Sequence, residues 1–154
     1  MARSVVALGG FIALQMVGIC YNNVMLEKIL EKWIDFAAAD LDVAKRLFKS
    51  PKPTSWTYLL ALWHCHQCIE KMLKMLAIKQ GKELLKIHDL SRLVELANIT
   101  FTSEMKQFIN QLNKFYIRSR YPDLIYSPLP KTEKKFVEEF IKKTNQFFIW
   151  LKKQ

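Results

Sequence analysis

Glycine is scarce in this chain, and its distribution is the feature that most limits the possible folds. Of the 4 glycines in 154 residues, only Gly81 follows residue 18, and the chain has only 5 prolines. A β-sandwich or β-barrel needs many tight turns, which glycine and proline usually form. Neither GxGxxG nor GxxxxGKS/T occurs, so a glycine-rich phosphate loop is excluded. The sequence therefore predicts an all-α domain.

Apolar residues recur with helical periodicity in five segments. The chain is 51% hydrophobic and has the length of one ordinary domain, so it can bury a substantial core. The 3.6-residue period predicts long helices over residues 25–48, about 55–81 and 103–117, and from residue 132 almost to the C-terminus. It also predicts a short helix after residue 88. Aromatic residues of the last two helices follow the same period, which favours core positions over base-stacking positions. Four long helices plus one short helix predict an up-down antiparallel helical bundle.

Capping and breaking residues set the predicted helix boundaries. Ser55 is the predicted N-cap of the second helix, and Gly81 follows its C-terminus. Asp89 is the predicted N-cap of the short helix, and Thr132 is a candidate N-cap of the last helix. Residues 121–131 contain three prolines, which predicts an ordered loop.

The first residues differ in composition from the rest of the chain. Residues 5–20 are apolar or glycine except for Gln15, and Arg3 precedes them. This pattern resembles a signal peptide, but no A-x-A cleavage site follows, and the run is shorter than the about 20 residues of a spanning helix. A mis-assigned start, a signal or membrane anchor, and an ordered additional helix all stay open. The composition divides the chain into an apolar extension, residues 1–24, and a helical domain, residues 25–154.

The charge balance is strongly basic. The chain has 24 lysines and arginines against 14 acidic residues, a net charge of +10. This excess favours an anionic partner, which includes nucleic acid, nucleotide, an acidic protein and a membrane surface. Solvated lysines on helix surfaces are the alternative explanation. The 3 cysteines lack disulfide-type spacing, which indicates a reducing cytoplasm.

Histidine and cysteine alternate at residues 64–68, and both are metal-ligand residue types. The segment lies inside a predicted helix, however, and no second cysteine pair exists. Cys65 shares a helix face with Leu62 and Ile69, so packing explains its position. We therefore predict neither a metal site nor a cofactor.

Two arginines stand where the fourth helix is predicted to end. Arg118 and Arg120 are followed by Tyr121, a proline and Asp123. A guanidinium group offers a planar fork that suits phosphate. The alternative is an arginine held by Asp123 or by the negative end of the helix. Both interpretations stay open.

Three polar side chains lie on the second helix, which is otherwise predicted to be buried. His66, Gln67 and Glu70 lie on its polar side. Buried polar groups need hydrogen-bond partners. We expect those partners to be Arg118 or Arg120 across the bundle, or a neighbouring subunit.

Three ordered segments resemble the HEPN family (higher eukaryotes and prokaryotes nucleotide-binding domain). Residues 66–74 are similar to the family's helix-two signature of glutamine, two residues, Glu-Lys and a following lysine. Residues 88–90 are similar to its H-D-L segment, and residues 120–123 to the R-Y-P-D stretch of one HEPN branch. The resemblance covers about residues 25–154.

This resemblance implies a helical bundle that forms a homodimer. It also implies a partner, a minimal nucleotidyltransferase, with which the protein would form a toxin–antitoxin pair. Many HEPN toxins are metal-independent ribonucleases whose arginine is followed, after four to six residues, by a histidine. Neither Arg118 nor Arg120 has a histidine at that spacing, so the usual proton carrier is missing.

A nucleotide- or RNA-binding module is therefore the expected function. The predicted ligand-binding residues are Arg118, Arg120, Tyr121, Asp123, Gln67, Glu70, Lys71 and His88. The arginines would hold phosphate, and the acidic residues would orient an arginine or meet ribose hydroxyls. One alternative is a ribonuclease in which Arg120 stabilises the transition state and His66 or His88 moves protons. Another is a subunit that docks an acidic partner; a membrane is expected only if residues 1–24 form an anchor.

Overall fold

Five helices and no strand make up the described part of the molecule. The computed structural model describes residues 6–83, 86–120 and 133–154, and the side chains of residues 23–83, 86–116 and 133–154. The helices are α1 (Val6–Phe48), α2 (Ser55–Lys79), α3 (Leu90–Leu96), α4 (Ser103–Arg120) and α5 (Lys134–Leu151). The predicted all-α bundle, with four long helices and one short helix, is confirmed.

Helix α1 is longer than the sequence predicted. The expected start was Met25, whereas the helix begins at Val6 and continues without a break to Phe48. Residues 6–48 contain no proline, so no residue in this stretch lacks the backbone N–H that a continuous helix requires. In the described part of the chain, no helix combines the length and apolar character that crossing a membrane requires.

Helix α2 lies at the centre of the bundle and contacts all four other helices. Its first half is apolar on nearly every side, as a helix in this position requires. The fully buried side chains of α2 include Leu62, Ile69, Met72 and Leu73. Removing each such side chain from water stabilises the fold by about 1.5–3 kcal/mol.

The N-cap of α2 is Thr54 rather than the predicted Ser55. The Thr54 hydroxyl accepts a hydrogen bond from the Thr57 amide at 3.2 Å, and the Thr54 amide donates to the Thr57 hydroxyl at 3.1 Å. This reciprocal pair satisfies two amides at the helix start. Ser55 has no partner three residues on that could complete the same exchange, and it becomes the first helical residue.

Two other boundaries follow the predicted chemistry, and the start of α5 does not. Gly81 has φ +69, and its amide and that of Lys82 donate to carbonyls of the last turn of α2 at 2.8 and 2.9 Å. Asp89 caps α3 by accepting from the Arg92 amide at 3.0 Å. The N-cap of α5 is Glu133, not Thr132, and it makes no side-chain capping bond.

Phenylalanine rings fill the space between α4 and α5. Phe108 lies 5.3 Å from Phe140 and 5.2 Å from Phe147, measured between ring centroids. Phe115 meets Phe140 edge-on at 5.7 Å. All four rings are buried, which confirms the prediction that these aromatic residues form core.

Candidate functional site

A buried carboxylate on α2 organises a cluster of polar side chains. Glu70 accepts a hydrogen bond from Lys74 Nζ at 2.7 Å and from Gln67 Nε2 at 3.3 Å. The Nδ1 atom of His88 lies 3.0 Å from Oε1 of Glu70. The structure therefore brings together Gln67, Glu70 and His88, three of the residues predicted to share a site.

The start of α3 positions His88 over Glu70. The amide of Leu90, the first residue of α3, donates to Asn113 Oδ1 on α4 at 2.9 Å. The Leu90 side chain is fully buried. These contacts fix α3 against α4, so His88, two residues before the helix begins, is held beside α2.

An aromatic column connects this cluster to the core. The Tyr116 ring stacks on His66 at 4.8 Å and on His88 at 4.9 Å, with interplanar angles of 25° and 22°. The His66 side chain is fully buried, whereas that of His88 is 40% exposed. The column therefore runs from the interior of the bundle to its surface.

Burial controls the ionisation of His66. It lowers the pKa of this imidazole to about 4, and the Glu70 carboxylate, with Oε2 at 3.7 Å from Nδ1, offsets only part of the effect. His66 is consequently neutral at physiological pH.

The two predicted arginines lie in the last turn of α4, which continues three residues past the predicted end at residue 117. Position 120 is one turn beyond Tyr116 on the same side of the helix, and position 118 lies on another side. Tyr121, Asp123 and the predicted loop at residues 121–131 lie outside the described residues, as do the arginine side chains.

Lys71 does not join the Glu70 cluster. Its Nζ pairs with Asp40 on α1, and His64 Nδ1 lies 2.9 Å from the other carboxylate oxygen of Asp40. The sequence reasoning missed Asp40 and His64. The apolar pattern of α1 could have identified Asp40, because this acidic residue falls on the buried face of the helix between Ala37 and Ala44.

The cysteines of the 64–68 segment belong to the core. Burial raises the pKa of the Cys65 thiol to about 12 and also raises the pKa of Cys68. Both thiols are therefore protonated at neutral pH and pack as small apolar side chains. Residues with described side chains form no cluster of three or more histidine, cysteine or acidic groups that could hold a metal ion.

Comparison with known proteins places the chain in a family. A family model of the HEPN domain matches residues 30–154. The chain belongs to the HEPN family. HEPN domains are nucleotide-binding and ribonuclease-type domains. No curated protein matches the chain.

Two solved structures resemble this HEPN protein. The archaeal HEPN homologue ST0689 is 30% identical with a TM-score of 0.63, and the match covers 81% of this chain and 96% of that one. The protein TT1696 from Thermus thermophilus is 20% identical with a TM-score of 0.65, and the match covers 80% and 96% of the two chains. At 20% identity, the similarity to TT1696 shows only that the two proteins share a fold.

Proposed function

We propose that this HEPN protein binds a nucleotide or RNA at the His88 surface, defined as His88, Tyr116 and the last turn of α4. One observation carries the proposal. A histidine fixed by a buried carboxylate and stacked on a tyrosine lies beside the helix end that bears Arg118 and Arg120. Tyr121 and Asp123, which follow Arg120 in the R-Y-P-D segment, belong to the same proposed site.

The charges around Glu70 support binding of an anion. Glu70 itself is paired with Lys74 and is only 4% exposed, so it does not present a free negative charge to a phosphate. Its contact with His88 uses Nδ1, which leaves Nε2 as the ring nitrogen available to a ligand. Arg118 and Arg120 supply the phosphate contacts, and Glu70 serves to orient the ring.

Isothermal titration of the full chain against ATP, GTP and a short single-stranded RNA tests this proposal. We expect saturable binding that weakens at higher salt, and a loss of about tenfold or more in Arg120→Ala. Arg46→Ala is the matched control, since Arg46 is exposed on α1 and pairs only locally with Asp42. Absence of binding to all three ligands, or equal loss in both variants, would contradict the proposal.

A ribonuclease is the second candidate, and the contrast between the two histidines favours His88 as its proton carrier. His66 is sealed in the core, whereas His88 is partly exposed and oriented by Glu70. Metal-free RNA cleavage that disappears in His88→Asn and Arg120→Ala would establish the enzyme. Equal cleavage by the wild type and both variants would identify a contaminant.

The protein is further proposed to act as a cytoplasmic homodimer that pairs with a minimal nucleotidyltransferase in a toxin–antitoxin system. The support is the family membership together with the three motif segments. Co-expression with the genomic neighbour tests the pairing. We expect the two proteins to co-purify, and expression of this chain alone to slow growth.

A further inference from the structure

A small cavity lies between α1 and α5, and we call it the α1–α5 cavity. Its volume is about 290 Å³. Its polar lining consists of three lysines, a glutamate and an asparagine: Lys45, Lys49, Lys142, Glu138 and Asn145. The other two lining residues, Phe48 and Ile141, are apolar. The cavity shares no residue with the His88 surface, and within the described residues α1 packs against neither α3 nor α4.

The ammonium groups in this cavity lack acidic partners. Lys45 is half-buried, and its Nζ donates to the neutral Oδ1 of Asn145 at 2.9 Å. Among residues with described side chains, no carboxylate lies within ion-pair distance of Lys45, Lys49 or Lys142. A half-buried cation loses part of its hydration and needs a counter-charge to recover that cost.

The lysines converge on the cavity from two helices. Lys45 and Lys49 are one turn apart at the end of α1, where the Lys49 amide donates to the Lys45 carbonyl at 3.2 Å, and like charges at this spacing repel. The negative end of α1 favours cations at these two positions. It does not account for Lys142, which lies in the middle of α5 and lines the same cavity. A bound anion would stabilise all three ammonium groups together.

Charge and size indicate the class of anion. Three lysines and the Glu138 carboxylate give the lining a net charge of +2. A phosphate monoester carries about two negative charges at neutral pH, whereas each phosphodiester of RNA carries one. Lysine binds phosphate as a point charge. Phe48 and Ile141 offer apolar contact to the group that the phosphate esterifies.

We propose that the α1–α5 cavity is a second anion site, which binds the terminal phosphate of a phosphate monoester. Lys45, held by Asn145, makes the central contact, and Lys49 and Lys142 make the flanking contacts. The site is independent of the His88 surface, so either can fail without the other.

Amide chemical shifts of the ¹⁵N-labelled full chain, measured at constant ionic strength, test the proposal. The probes are inorganic phosphate, adenosine monophosphate and the dinucleotide ApA, which has a phosphodiester and no terminal phosphate. We expect the first two to cause saturable shift changes at residues 45–49 and 138–145 at concentrations up to about 10 mM. ApA should bind there at least about tenfold more weakly.

Single lysine substitutions separate this site from general attraction to a basic protein. Lys49→Met and Lys142→Met, at exposed positions, should each weaken binding of adenosine monophosphate about tenfold. Lys45→Met should do the same, with circular dichroism as the check on its fold. Lys153→Met is the matched control: it removes the same charge from the exposed end of the chain and should change the affinity less than about twofold.

Three results would overturn the proposal. The absence of saturable shifts at residues 45–49 and 138–145, even if residues near His88 shift, would remove this site and leave the His88 surface standing. Equal weakening in Lys142→Met and Lys153→Met would show unspecific attraction. Binding of ApA as tight as that of adenosine monophosphate would exclude recognition of a monoester and identify a contact with the RNA backbone.

Discussion

Acidification should destabilise this protein through His66, the buried end of the aromatic column. Burial lowers the pKa of the folded-state imidazole to about 4, from 6.5 in its absence. As pH falls, the unfolded chain therefore binds a proton before the folded chain does. The contribution of a neutral His66 to stability is fully present above pH 6.5 and is lost as pH falls towards 4.

The size of the effect follows from the two pKa values. The difference between the pKa of 6.5 in the unfolded chain and about 4 in the folded chain corresponds to about 3 kcal/mol of stability when the titration is complete. Between pH 7 and pH 5 the loss is about 2 kcal/mol, since the unfolded state is then largely protonated and the folded state is not. A loss of this size is a large share of the roughly 5–15 kcal/mol that stabilises a domain.

Urea unfolding at pH 7 and pH 5 measures this loss. His66→Phe is the comparison variant, because it keeps a ring against Tyr116 and removes the titrating group. We expect the unfolding free energy of the wild type to fall by about 2 kcal/mol more than that of the variant between the two pH values. Equal falls, or an NMR titration of the His66 ring above pH 6 in the folded protein, would refute this account.

Two further substitutions test the packing and the backbone. Leu73→Ala, at a fully buried position on the central helix, should lower the unfolding free energy in urea by about 2–5 kcal/mol. The exposed control Ile149→Ala should change it by less than about 0.5 kcal/mol, and a similar small change at Leu73 would contradict the burial described. Gly81→Ala has open space around the added methyl, so the positive φ alone should cost about 1 kcal/mol in the same assay. A neutral result would show that Gly81 does not need this backbone conformation.

Helix positions could be predicted because they depend on spacing within one segment. The apolar period located α2 to α5, and its errors in these four helices lay at their ends. Thr54 and Ser55 can both cap a helix, and only the pairing with Thr57 decides between them. The predicted end of α4 at residue 117 was too early. The helix continues to Arg120 because no residue before Pro122 breaks it.

The site was predictable only in part. Gln67, Glu70 and His88 could be grouped because they lie in motif segments that resemble a family. The pairing of Asp40 with His64 and Lys71 depends on how far α1 is shifted along α2, and no spacing within either helix determines that shift. The position of Tyr116 between two histidines arises from three separate elements, so no spacing within one segment predicts it.

The stacking of His66, Tyr116 and His88 has a consequence for divergence within the family. Each ring lies 4.8–4.9 Å from the next, so the outer two are separated by the thickness of one planar side chain. An aliphatic side chain at position 116 is not flat and would force the start of α3 away from α2. Homologues should therefore change positions 66, 88 and 116 together, and positions that co-vary in this way would mark the same surface in proteins with few other shared residues.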